Sequence, residues 1–224
     1  MISVGESVLT STAAPRRGDD TRERLLDAVE VLIADHGFQS LTHRLIAQRA
    51  DVHVALLNYH FGSKEQLVEE ALARRAPRLI QLQKDALAAL RTHGVWTVED
   101  VLWALWQPFA VLDARSGAPW RHYLCVVARL ASHTQGDALY SRHFSPVERE
   151  CLYALHRTLP GVPEDELGRG LRYCRLLFER ELASRCNEPP VDADLQWRRS
   201  ERLIAFLAGG LRSTEAEPSR ATSG

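Results

Sequence analysis

Residues 42–64 read THRLIAQRADVHVALLNYHFGSK, and the fold is decided by how this stretch can bury itself. Thr42 is a helix-capping residue, after which Leu45, Ile46 and Ala50 recur on one helical face. Asp51-Val52 interrupts the pattern, and a second short run, HVALLNYHF, ends at Phe61 before Gly62-Ser63 breaks the chain. Helices this short do not persist alone in water, so they need a third element as backing. The preceding segment supplies it. Leu25, Leu26, Val29, Leu32 and Ile33 make one stripe, with Asp20 as candidate N-cap, Glu23 three residues on and Gly37 as the stop. That predicts a helix over about 21–36 and a three-helix unit whose core takes in Ile46, Val52 and Phe61. A short helix, a tight break and a second short helix form the helix-turn-helix arrangement, whose second helix enters a DNA major groove.

The outward residues suit that task. Thr42 and Lys64 stand at helix N-termini, where free N–H groups and the dipole attract phosphate. Arg44 offers a guanidinium fork, and His53, Asn58, Tyr59 and His60 offer hydrogen bonds to phosphates or base edges. Bulk charge points the other way: 28 Lys and Arg against 29 Asp and Glu give −1 over 224 residues. Over 38–64, however, Arg44, Arg49 and Lys64 face only Asp51, which leaves a local excess of positive charge beside three histidines.

The rest of the chain reads as helix, with no alternating run of strand length, so an all-α chain of about nine or ten helices is expected. Residues 1–18 read as a disordered arm and 213–224 as a loose tail. Ser63 caps a long helix over about 64–91 with a kink expected at Pro77, and Thr97 caps the next, which contains Pro108. Pro119 lies in the first turn of a sixth helix. Ser145-Pro146-Val147-Glu148 predicts a helix start running to about 159. Pro163 opens another helix to about 186, and the last spans about 194–211.

The segment RLLDAVEVLIADHGFQSLTHRLIAQRADVHVALLNYHFGSKEQLVEEAL, and LNYHFGSKEQL above all, closely resembles the N-terminal domain of TetR-family transcriptional regulators. The resemblance implies domains at 19–64, for DNA, and 65–212, for dimerisation and a small-molecule effector. It also implies a homodimer on double-stranded DNA carrying a palindromic operator. Carried over by position, the family's DNA contacts fall on Thr42, His43 and Arg44, then on His53, Val54, Ala55, Asn58, Tyr59 and His60, and finally on Lys64. Where the family turn usually reads Ala-Gly-Val-Ser, this chain has Ala50-Asp51-Val52-His53. Asp tolerates positive φ better than most residues, while His53 makes a weaker cap than Ser. Asn58, where many members carry Tyr, is a candidate adenine reader.

PWRHYLCVVARLAS, LPGVPEDELGRGLRYCRLLFERELASR and FLAGGL loosely resemble the C-terminal halves of such regulators. This implies a homodimer through the last two long helices. Leu167, Leu171, Cys174, Phe178 and Leu182 would form its apolar seam with Leu203, Phe206 and Leu207. Trp103, Trp106 and Phe109 on one helix and Tyr123, Val127 and Leu130 on the next make stripes that fit either plain core or an effector pocket. Arg129 is open to three readings: an anchor for an anionic ligand, a partner of Asp113, or an exposed side chain.

Other classes find little footing. Cys125, Cys151, Cys174 and Cys186 lie far apart without a CxxC pair, indicating neither a zinc site nor a disulfide framework. Metal-binding and phosphate-loop motifs are absent, as is a GxSxG elbow beside Asp137, Ser141 and His143, so neither an enzyme nor a cofactor is expected. No apolar run is long enough to span a membrane and the start does not read as a secretory signal, which favours a cytoplasmic protein. The rival reading is a helical small-molecule-binding protein that does not bind DNA, supported by Asp51 and His53 alone.

Overall fold

The computed structural model describes residues 17–115, 117–131, 134–186 and 193–214. Among them are nine α-helices and no strand: α1 (Arg17–His36), α2 (His43–Ala50), α3 (Val54–Phe61), α4 (Lys64–His93), α5 (Val98–Arg115), α6 (Gly117–Ala131), α7 (Thr134–Thr158), α8 (Glu164–Ser184) and α9 (Ala193–Ser213). The stripe read on the first helix is the core of the head: Leu25, Val29 and Ile33 are fully buried, with Ile46 and Leu57 closing over them. α1 packs on α2, α4 and α6. α4 continues into the larger bundle against α5 and α7, α8 lies on α6 and α7, and α9 on α5 and α8. Trp106, Tyr123 and Phe144 are the largest side chains sealed in that bundle.

Several expectations change. α1 begins at Arg17, so Asp20 lies inside its first turns, where a carboxylate suits the helix dipole. The rest of the arm, 1–16, and the tail from 215 lie outside the described residues. Pro146 does not open a helix. α7 already starts at Thr134 and passes through Pro146, because Phe144 and Val147 are buried on either side of it and their packing outweighs a lost ladder bond. α4 and α5 likewise run through Pro77 and Pro108.

The proposed seam turns out to be largely internal. Leu167, Leu171, Cys174, Phe178 and Leu182 are buried within the chain's own bundle, as is Leu207. The apolar side chains left exposed on α8 and α9 are Tyr173, Leu176, Leu177, Trp197 and Phe206. A 3.6-residue stripe shows that a helix has an apolar face, and here the stronger of two stripes went to the core. The cysteines also differ from expectation. Cys125 of α6 and Cys186, just past α8, form a disulfide across a sequence separation of 61 with Cα atoms 5.7 Å apart. Their partnership arises from α6 packing on α8, which spacing does not encode. Cys151 and Cys174 are buried free thiols.

Candidate functional site

The helix-turn-helix is built from local signals and one long-range clamp. Thr42 Oγ1 accepts from Leu45 N at 3.2 Å to cap α2, and Ser63 Oγ accepts from Gln66 N at 3.1 Å to cap α4. Asp51 is the single non-glycine residue at positive φ among the described residues, at φ 53° and ψ 54°, and it turns the chain from α2 toward α3. Its strain is offset from outside the motif: Arg24 of α1 donates to Ala50 O at 2.6 Å and Asp51 O at 2.7 Å, capping the α2 carbonyls with a cation. His53 caps α3 without a side-chain hydrogen bond.

Leu57 and Phe61 turn α3's apolar side inward. Thr42, Arg44, His53, Val54, Ala55 and Asn58 are exposed, while His43, His60 and Lys64 are half-buried. The Tyr59 ring is 82% exposed, so it does not pack on the domain. Lys64 leans back, its Nζ 5.0 Å from the Phe38 ring centroid and 3.5 Å from Leu41 O. Of the ten residues expected to meet DNA, seven are exposed and His43, His60 and Lys64 are half-buried.

This head is fastened to the bundle by charge. Arg74 of α4 donates to Glu23 at 2.9 Å, and to Asp27 and Glu30 of α1 at 2.7 Å each. Glu30 is 2% exposed, and burial raises its carboxyl against the pull of Arg74. The Arg75 guanidinium lies 5.6 Å from the Trp120 ring on α6, and Tyr123 Oη donates to Leu72 O at 3.0 Å.

A cavity with a free volume of ≈ 40 Å³ lies between α4, α5, α7 and α8. Trp106, Phe109, Tyr140 and Phe178 form much of its wall, Trp106 stacking on Phe178 at 4.7 Å. Four polar side chains reach it: Gln83, Glu148, Arg175 and Glu179. Arg175 donates to Asp137 at 2.6 Å, its Nε 3.6 Å from Glu148 and 3.9 Å from Glu179, too far for a hydrogen bond to either. Neither Glu179 oxygen, nor Gln83 Oε1, has a hydrogen-bond partner. Burial pushes the Glu179 carboxyl up to about 8 despite Arg175, and raises Glu148 as well.

Of the seven side chains singled out as pocket candidates, Trp106 and Phe109 line the cavity. Trp103 packs edge-on against Trp197, and Tyr123, Val127 and Leu130 are buried core of α6. Arg129 is half-buried, with its guanidinium near Gly37 at the end of α1, and Asp113 accepts from Arg121 at 3.2 Å. Arg24, Gln83, Arg175 and Glu179 were missed. The last two had a signal: charged residues set into the α8 stripe that runs through Leu171, Phe178 and Leu182. Asp137, Ser141 and His143 form no catalytic set, since Asp137 is bound to Arg175. Among the described residues, no group of His, Cys, Asp and Glu is placed to hold a metal, and no helix is long and apolar enough to cross a membrane.

An all-α chain that presents a clamped helix-turn-helix from a helical bundle belongs to the class of helix-turn-helix regulators. The family model for bacterial regulatory proteins of the tetR family matches residues 25–71, and that for the tetracyclin repressor-like C-terminal domain matches 103–210. The chain belongs to the TetR family of transcriptional regulators, a family of regulators rather than enzymes. It is 39% identical over 77 residues to the HTH-type transcriptional repressor KstR of Rhodococcus jostii (strain RHA1), covering 34% of each chain. It is 41% identical over 69 residues to the HTH-type transcriptional regulator BetI of Agrobacterium fabrum (strain C58 / ATCC 33970), covering 31% of this chain and 32% of that one. These matches span about a third of the length of the curated relatives. A TetR-like transcriptional regulator from Rhodococcus sp. RHA1 shares the fold, with a TM-score of 0.57 at 20% identity over 92% of this chain and 100% of that one.

Proposed function

We propose that this protein is a ligand-responsive repressor that binds a palindromic operator as a homodimer and releases it when a small molecule enters the bundle. The observation that carries the reading is the outer face of α3, where Asn58 and Tyr59 stand exposed on a helix whose other side buries Leu57 and Phe61 and which packs on α2 and α4. Thr42, His43, Arg44 and Lys64 position the phosphates, and Asn58 reads a base edge. Residues 19–64 act as the DNA-binding unit and 65–212 as the regulatory one, working in the cytoplasm where the DNA is.

Dimerisation uses the exposed face of α8 and α9, with Tyr173, Leu177 and Phe206 as its apolar centre. Two heads must then sit about 34–36 Å apart to enter successive major grooves. Gln83, at the cavity, and Arg74, at the head, share α4 and are separated by about 13 Å of helix at 1.5 Å per residue. A ligand that moves α4 therefore moves both heads, and affinity falls to the extent that it favours the wrong spacing. A mobility-shift assay with fragments of the source genome tests the reading. One palindromic fragment should be retained by a dimer, and retention of none sinks it.

A further inference from the structure

The outward direction of α3 follows from its buried residues. Leu57 and Phe61 turn into the core, and at about 100° per residue the line opposite them passes through Tyr59. The 82% exposure of Tyr59 agrees. Ala55 then lies about 40° to one side of that line and Leu56 about 60° to the other, whereas Asn58 and His60 stand about 100° away. Ala55 and Leu56 are both exposed, Leu56 at 39%. An apolar pair therefore stands nearer the middle of the outer face than Asn58 or His60.

What such a pair recognises on DNA is narrow. The major groove presents hydrogen-bond donors, acceptors and one apolar group, the C5-methyl of thymine. The Leu56 side chain has no polar atom, so against any other base edge it would desolvate a donor or acceptor and return nothing. α3, VALLNYHF, carries no Arg, Lys, Asp or Glu. It therefore lacks both the commonest reader of guanine and the carboxylates that accept from cytosine. The cations lie on the neighbouring elements, with Arg44 and Arg49 exposed on α2 and Lys64 at the start of α4. Charge on those elements and none on α3 complements a groove whose rims carry the phosphates.

We propose that Leu56, with Ala55 beside it, packs on a thymine methyl in the operator, so that each half-site carries a T·A pair under the middle of α3. This deepens, and rests on, the reading of α3 as the DNA-facing helix, and adds the base that it selects. Asn58, on the same side of the outward line as Ala55, suits an adenine. Exchanging the T·A pair for C·G removes the methyl and sets a polar cytosine edge against Leu56.

The test uses the full chain and a site selected by it from random duplexes. Each thymine of the selected half-site is replaced in turn by deoxyuridine, which deletes the methyl and keeps the base pair. At one position or more, affinity should fall about fourfold when one half-site is changed and about fifteenfold when both are, the effect of one methyl each. Leu56→Ala should weaken binding to the unmodified site at least threefold and bind the thymine and deoxyuridine duplexes within about 1.5-fold of each other. Leu56→Met, which restores an apolar side chain, should regain part of the discrimination. The deoxyuridine series on the parent protein stands independently of any variant. The proposal is overturned if the selected half-sites hold no T·A pair, if no deoxyuridine weakens binding, or if the Leu56→Ala protein keeps the full sensitivity. Those results leave the regulator reading intact. Selection of no duplex at all overturns that reading and this proposal with it.

Discussion

The outer face of α3 and the cavity in the bundle are both polar sites in a protein held together by apolar packing, and they are made in opposite ways. Asn58 and Tyr59 stand in water on a helix whose fixing contacts, Leu57 and Phe61, lie on its other side. Glu179, Gln83 and Arg175 are enclosed by the rings and aliphatic side chains that also stabilise the bundle. The difference separates binding from stability in the head and ties them together in the cavity. A substitution on α3's outer face should cost affinity alone, whereas one in the cavity wall should alter folding before any ligand is added.

The largest expected effect tests the second half of that contrast. Trp106→Ala removes a side chain 2% exposed that stacks on Phe178 and donates to Ser200 Oγ at 2.8 Å. It should cost about 3–5 kcal/mol in urea unfolding. A cost under about 1 kcal/mol would mean that this wall is not structural, and the contrast would collapse. Arg24→Ala comes next and sits between the two regimes, since it leaves the α2 carbonyls uncapped beside a strained Asp51. It should cost about 1–3 kcal/mol of stability and weaken DNA binding as well. Asn58→Ala tests the first half. Unfolding should shift by no more than about 0.5 kcal/mol, while discrimination at one operator base pair falls by about 1–3 kcal/mol.

Glu179 sharpens the comparison through pH. Its folded carboxyl is raised to about 8, above the ordinary value of 4.5, so the folded state holds a proton that the unfolded state has lost between those limits. The stability it contributes is complete below pH 4.5 and is lost as pH rises through 8. Glu179→Gln cannot ionise. Its melting temperature relative to the parent should therefore rise from pH 6 to about pH 8 and level off above it, and a constant difference would show that this carboxyl does not change charge in the fold. The exposed acids near α3, Asp51 among them, have no such enclosure.

The same contrast explains what could be read from the sequence. Residues 42–64 carry their own instructions: Thr42 and Ser63 cap the helices they precede, and Asp51 takes the left-handed turn that its side chain tolerates. Arg24 was invisible because it lies 26 residues from the carbonyl it caps. The cavity is assembled from four helices, so a stripe containing Trp106 and Phe109 gave two of its lining residues, while Tyr123 and Val127, on an equally regular stripe, went to core. Periodicity also failed on α8, where two apolar faces compete, and the inward stripe left Tyr173 and Leu177 outside. The Cys125–Cys186 bond depends on the same α6–α8 packing and left no mark in the spacing.

The smallest effect belongs to Lys64, which lies on the boundary between the regimes. Its ammonium is 5.0 Å from the Phe38 ring centroid and 3.5 Å from Leu41 O, so part of its hydration is already replaced by protein, while the residue is only half-buried. Lys64→Ala should therefore cost little stability, since the cation–π contact is worth about 0.5–1 kcal/mol at exposed sites. Its effect on DNA should be uniform across sequences, because a phosphate contact orients without reading bases. The measurable signature is salt dependence. Each neutralised phosphate contributes about 0.9 to the slope of log affinity against log salt, so the variant's slope should be shallower by roughly one per protomer. An unchanged slope with lowered stability would place Lys64 wholly in the backing of the head, and the phosphate-facing surface would then begin at Thr42 and end with α3.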